Sequence, residues 1–229
     1  MFEFLFLDLD DTILDFHKAE QVALSKTVSA FGAEPTKAVL DRYHVINQQQ
    51  WERLERGELT REQVLVNRFV LLFQELGLDI DPQACTAAYS RNLSVGHYFL
   101  PGAEETVKRL CKKYRLFLAS NGTASVQHGR LESAGLYPYF EKIFISQEIG
   151  YNKPSKEFFS NCFAQIPGFD PSKAMIVGDS LTSDIRGGKN AGILTCWVNR
   201  ENKNPPNDIQ PDYEITSVTE LEALLEEKI

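Results

Sequence analysis

Short apolar runs rich in branched and aromatic side chains recur along the chain, at Phe4 to Leu7, Leu116 to Ala119, Ile143 to Ile145, Met175 to Val177 and Leu194 to Val198. They are continuous rather than alternating with polar residues, the pattern of strands covered on both faces. Between the later runs lie Ala103 to Lys113 after Pro101-Gly102, Ser125 to Ala134, Lys156 to Gln165, and Ser183 to Ala191 before Gly192, and their composition predicts helices. Strand and helix in alternation imply a Rossmann-like α/β core with a parallel, doubly wound sheet. In such sheets ligands bind beyond the carboxyl ends of the strands.

Residues 17 to 97 break this rhythm. Leu65, Phe69, Leu72, Phe73 and Leu76 recur on one helical face, Thr60 to Gln63 has the form of a capping box, and Asp81-Pro82 is a good helix opening. An all-helical segment inserted directly after the first strand predicts a cap lying over the strand ends. The expected division is a catalytic core of residues 1–16 and 98–229 and a helical cap domain of residues 17–97.

Composition narrows the partners. With 229 residues, 43% of them hydrophobic, the chain can fill one substantial core with a smaller insert. A formal charge of -8 provides no basic field for a nucleic acid polymer or an anionic membrane, so a small anionic substrate needs local positive charge. The first apolar run stops at Asp8, far short of the roughly 20 residues of a transmembrane helix. Cys85, Cys111, Cys162 and Cys196 are scattered, without C-x-x-C or a secretory leader, and a reduced, cytoplasmic setting is expected. His17, His44, His97 and His128 show no zinc-ligand spacing and are taken as ordinary.

Candidate chemistry gathers at the ends of the apolar runs. Asp8 and Asp10 lie two apart where the first strand ends, so continued extension would put both on one face. Like charges so close call for a cation or a shared proton, which makes Asp8 a candidate nucleophile and Asp10 a candidate acid. Ser120-Asn121-Gly122 offers a hydroxyl, an amide and backbone N–H groups for an anion, and Lys153-Pro154 an ammonium facing carboxylate and phosphate alike. Gly178-Asp179-Ser180, with Asp184 following, adds oxygen ligands for a hard cation such as Mg²⁺. Gly187-Gly188-Lys189 is no phosphate loop, because Asn190 replaces the required Ser or Thr; it suits close helix packing.

The ordered set Asp8-x-Asp10-x-Thr12, Ser120-Asn121, Lys153 and Gly178-Asp179-Ser180-x-x-x-Asp184 resembles the haloacid dehalogenase superfamily of phosphohydrolases over nearly the whole chain. The resemblance implies that Asp8 attacks phosphorus to form an aspartyl-phosphate and that Asp10 is general acid and base. It also implies Mg²⁺ held by Asp8, Asp179 and the Asp10 carbonyl with Asp184 in support, and a phosphoryl group held by Ser120, Asn121 and Lys153. Members that displace halide lack a carboxylate at the position of Asp10, so its presence favours phosphoryl transfer. Ile46-Asn47-x-x-x-Trp51-x-x-x-Glu55-x-Gly57, Arg68-Phe69 and Gln127-x-x-Arg130-Leu131 are similar to the pyrimidine 5'-nucleotidase branch. That branch implies a nucleoside monophosphate substrate, with Trp51 or Phe69 stacking on the base and Asn47 or Arg68 bonding its edge or sugar, Phe69 fitting a buried stripe better. Alternatives are a phosphatase of phosphoglycolate or sugar phosphates, a phosphoglucomutase-like phosphotransferase, and a catalytically silent homologue that binds a metabolite or a partner protein.

Overall fold

The computed structural model describes residues 2–227. Six parallel strands, β1 (Phe4–Leu7), β2 (Arg115–Ser120), β3 (Lys142–Ile145), β4 (Ala174–Gly178), β5 (Leu194–Val198) and β6 (Tyr213–Ile215), form one sheet in the order β3-β2-β1-β4-β5-β6. The five apolar runs are the first five strands. The sixth escapes sequence reading because Tyr213-Glu214-Ile215 is three residues long and lies on the sheet edge.

Among the described residues ten α-helices accompany the sheet: α1 (Phe16–Ala30), α2 (Lys37–Glu55), α3 (Arg61–Leu76), α4 (Pro82–Leu93), α5 (Ala103–Leu110), α6 (Ala124–Ser133), α7 (Ser146–Ile149), α8 (Lys156–Phe163), α9 (Arg186–Ala191) and α10 (Leu221–Glu226). The alternation of side chains along β1 feeds two layers at once. Leu5 and Leu7 pack with Val107 of α5, Leu131 of α6 and Leu225 of α10, whereas Phe4 and Phe6 pack with Phe158, Phe159 and Cys162 of α8. Each CH₂ so buried contributes about 0.8 kcal/mol, so these two layers anchor β1 at the centre of the sheet. The order reverses beside β1, which has β2 on one side and β4 on the other, so the crevice of a doubly wound sheet opens where β1 ends.

The glycines of α9 let that helix lie against the sheet. A Cβ on Gly188 would meet Ile176 at 2.5 Å and Thr195 at 2.6 Å, and one on Gly187 would meet Phe159 at 2.7 Å, which is the packing role expected of this glycine pair.

Helices α1 to α4 carry their own core, in which Tyr43, Phe69, Leu72, Phe73, Cys85 and Tyr89 are buried. The capping box of Thr60 and Gln63 opens α3, Asp81 caps α4, and Gly77 ends α3 in the left-handed conformation that suits glycine. Leu76 departs from the expected stripe and is 38% exposed, because α3 ends there. Two strand-like connections join this helical insert to the sheet: Leu14 bridges Phe99, and Asp15 N–H donates to the Tyr98 carbonyl at 2.7 Å. Asp11, with φ of 54°, turns the chain out of the core immediately after Asp10. No helix among the described residues is long and apolar enough to cross a membrane.

Candidate active site

The sheet brings the four sequence motifs together beyond the ends of β1, β2, β3 and β4. At the centre is Lys153, 1% exposed, whose Nζ donates to Asp8 Oδ1 at 2.7 Å, Asp184 Oδ1 at 2.6 Å and the Ala119 carbonyl at 2.6 Å. All three ammonium protons are thereby committed. Burial alone would push its pKa down, but the charges of Asp184 and Asp8 outweigh burial and hold it above the ordinary lysine value. Asp8 experiences the opposite balance: burial raises its carboxyl to about 8 despite the attraction of Lys153, with Asp184 and Asp10 adding to the rise. Asp179 is raised well above the ordinary value by burial and then by Asp8 and Asp11.

Carboxylate oxygens of Asp8, Asp179 and Asp184 lie within 4.8 Å of one another. Asp184 occupies one turn of π-helix, Leu181–Ile185, a widened coil common at functional sites, ahead of the expected helix start at Ser183. Its second oxygen accepts from Ser180 N–H at 3.1 Å, so both oxygens are engaged and it orients the cluster from behind. Gly178 leaves it room, since a Cβ there would collide with the Asp184 carboxylate.

Asp10 is held separately. The fully buried Arg130 Nη1 pairs with its Oδ1, and Gln127 Nε2 donates to its Oδ2 at 2.8 Å and lies 2.8 Å from Ser120 Oγ. Arg130 Nε also donates to the Gly96 carbonyl at 2.9 Å, in the connection returning from the insert. One guanidinium therefore links the Asp10 carboxylate to the insert's exit. The Asn121 side chain clasps the Lys153 backbone on both sides, Oδ1 accepting from its N–H and Nδ2 donating to its carbonyl, each at 2.9 Å. Asn121 thus sets the position of Lys153, and the Ser120 hydroxyl accepts from Gly122 N–H at 3.1 Å.

The family model described as haloacid dehalogenase-like hydrolase matches residues 5–198, from the first strand through the fifth. The chain belongs to this family. This hydrolase is 39% identical to HAD-hydrolase YfnB of Bacillus subtilis (strain 168), across 96% of this chain and 94% of that one. It is 36% identical to the pyrimidine 5'-nucleotidase PynA of Streptococcus pneumoniae (strain ATCC BAA-255 / R6), across 100% of this chain and 97% of the relative. It is also 30% identical to the pyrimidine 5'-nucleotidase YjjG of Escherichia coli (strain K12), with 97% of each covered. A crystal structure of the Bacillus subtilis YfnB protein bound to magnesium, which reveals interdomain movement there, matches with a TM-score of 0.94 at 38% identity over 98% of both chains.

In this hydrolase a cavity of about 220 Å³ runs from Asp8, Asp10 and Lys153 to a wall formed by Trp51, Glu55, Leu65 and Arg68 of the insert. The Arg68 guanidinium lies 4.7 Å from the Tyr89 ring centroid and donates to Asn47 Oδ1 at 3.0 Å. Asn47 is 3% exposed and stands behind the wall: it also accepts from Trp51 Nε1 at 3.1 Å and donates to Glu20 Oε1 at 2.7 Å. It therefore fixes Trp51 and Arg68 rather than facing the cavity. Phe69 lies wholly inside the insert core, as its place in the apolar stripe predicts.

Two insert residues absent from the sequence-based site tie the insert to the segments beyond the strand ends. Arg61, 8% exposed at the start of α3, donates to the carbonyls of Asn121 at 2.8 Å and Gly122 at 2.7 Å, to Ser146 Oγ at 2.7 Å and to Asn152 Oδ1 at 2.6 Å. Glu55 accepts from Thr182 Oγ1 at 2.7 Å, and burial raises its pKa. In sequence, Arg61 is merely the first residue after an N-cap; only the approach of α3 to the segments that follow β2 and β3 reveals it.

Proposed function

We propose that the protein is a Mg²⁺-dependent phosphomonoesterase that works through an aspartyl-phosphate on Asp8 and acts on pyrimidine nucleoside monophosphates. The observation that carries the phosphatase reading is the convergence of Asp8, Lys153, Asp179 and Asp184, with the Asp10 carboxylate beside them and held by its own partners. An unprotonated Asp8 oxygen attacks phosphorus; Ser120 holds the transferring group, and the Lys153 ammonium, fixed beside Asp8, offsets its negative charge. Asp10 gives its proton to the leaving oxygen and then takes one from the water that cleaves the acyl-phosphate, restoring Asp8.

The donor set suits Mg²⁺: oxygen ligands only, converging, and buried enough that the carboxyls of Asp8 and Asp179 are both raised without a cation. Asp8, Asp179 and the Asp10 carbonyl would hold the ion, with Asp184 behind them. Bound there, it would offset the negative charge of the phosphoryl group.

One consequence is a pH-dependent metal affinity. Asp8 must lose its proton for the cation to bind, and Asp179 is raised in the same direction, so affinity for Mg²⁺ is expected to climb with pH, the Asp8 proton alone contributing up to about tenfold per unit until about pH 8. Calorimetric titration in buffers of different ionisation enthalpy should reveal proton release below pH 8. An affinity flat up to about pH 8 would contradict the raised Asp8 carboxyl.

The nucleotide reading is supported by the two relatives named pyrimidine 5'-nucleotidase along their full length and by the wall opposite Asp8. Trp51 supplies a flat apolar face, and Arg68, whose Nε and Nη1 donate to the Leu65 carbonyl and Asn47, leaves Nη2 to donate, matching a base and its polar edge. The deciding experiment is kcat/KM over nucleoside monophosphates, sugar phosphates and phosphoglycolate with Mg²⁺. A clear preference for pyrimidine monophosphates is expected. Preference for a sugar phosphate or phosphoglycolate would replace this substrate assignment, and hexose phosphate interconversion without phosphate release would replace the hydrolase by a mutase.

A further inference from the structure

Away from Asp8, the insert brings together three side chains that the linear sequence keeps apart. His17 and Glu20 lie one turn apart on α1, and His44 reaches them from α2; one ligand atom from each falls within 4.8 Å of the others. The Nδ1 atoms of His17 and His44 face each other at 3.4 Å, with the rings edge to face. Glu20 is 1% exposed; its Oε2 is 2.6 Å from His44 Nδ1, while its Oε1 is anchored by Asn47.

We infer that His17, Glu20 and His44 form a second metal site, selective for a divalent transition ion of the zinc class, that pins α1 to α2. The first support is geometric. Bonds of about 2.05 Å to zinc at the tetrahedral angle separate two nitrogen ligands by about 3.4 Å. The two imidazoles already have that separation. Only the Glu20 carboxylate must draw back from His44, by about 0.7 Å, to reach its own vertex. The second is the surrounding support. Glu20 is braced by Asn47, and His17 Nε2 lies 2.8 Å from the Gln21 amide, which accepts an N–H once its oxygen is turned inward.

The third is access. His17 and His44 line a cavity of about 440 Å³ at the junction of insert and core, where Asp11, Asp15 and Glu201 contribute carboxylates and water can supply a fourth ligand. Ligand chemistry separates the two sites. Two imidazoles and one carboxylate suit Zn²⁺, Co²⁺ or Ni²⁺ and are poor ligands for Mg²⁺, whereas the all-oxygen cluster at Asp8 is the reverse. Because Glu20 Oε1 holds Asn47, which holds Trp51 and Arg68, an ion at this site braces the cavity wall as well as the two helices.

The test uses the full chain with Mg²⁺ in large excess, so that the Asp8 cluster is occupied, titrated with Co²⁺ and separately with Zn²⁺. One equivalent of Co²⁺ should bind with the strong visible absorption of a tetrahedral nitrogen and oxygen site. Zn²⁺ at a hundredfold excess over its Kd should raise the melting temperature by about 5 °C. Both effects should vanish in His17→Ala and His44→Gln and persist in Asp8→Asn. His17 is exposed, so its replacement leaves the fold intact, which circular dichroism verifies. Absence of Co²⁺ uptake under excess Mg²⁺, or uptake unchanged in the two histidine variants, would overturn the inference.

Discussion

Asp8→Asn protein is expected to lose at least about 10⁴-fold in kcat/KM on its best phosphomonoester, while remaining folded as firmly as the native chain at pH 8. The loss follows from chemistry: a carboxamide cannot form the acyl-phosphate. The stability follows from electrostatics. Without metal, Asp8 has its pKa raised from 3.8 to about 8, chiefly by burial. Its contribution to stability is therefore fully present below the unfolded value and is lost as pH rises through about 8. A neutral isostere of the same shape removes that loss. Lys153 keeps Asp184 and the Ala119 carbonyl, each at 2.6 Å, so it is not left as an uncompensated buried charge. Steady-state kinetics and thermal melts without metal at pH 8 check both halves. Turnover within a hundredfold of native would assign the nucleophile elsewhere, and a much lower melting temperature would show that Asp8 contributes to the fold through Lys153.

That the sequence disclosed so much of this cluster has a physical reason. Asp8, Ser120, Lys153 and Asp179 each follow an uninterrupted apolar run, and parallel strands in a doubly wound sheet all end on one side, so order along the chain becomes proximity in space. The insert offers no such rule. Phe69 could be assigned to the core by its period, but which side chains of α2 and α3 face the strand ends depends on how two helices pack. Asn47 illustrates this: it carries the right chemistry for a base edge, yet a helix rotation sets it behind Trp51 and Arg68. Arg61 and the pairing of His17 with His44 were hidden for the same reason. Their partners lie on other elements, 60 to 91 residues away for Arg61 and 27 for the histidines.

Asp10→Asn protein should show a loss that depends on the leaving group, and this is the sharper measure of how the two aspartates divide the work. On a nucleoside monophosphate, whose leaving alkoxide is strongly basic, kcat is expected to fall by about 10²–10⁴-fold. On an aryl phosphate, whose phenolate departs without a proton, formation of the acyl-phosphate should be nearly spared. Its later hydrolysis, which needs Asp10 as base, then becomes limiting, so a rapid burst of phenol precedes slow turnover. The substitution is structurally mild, because the asparagine oxygen can still accept from Gln127 or Arg130, which now hold Asp10 from two sides. Arg130 is fully buried and also binds the Gly96 carbonyl, so the side chain at position 10 stays tethered to the insert's exit. Rapid-quench kinetics with both substrate types resolve the two steps. Equal losses on alkyl and aryl substrates, without a burst, would mean that Asp10 acts by holding the site together rather than by moving a proton.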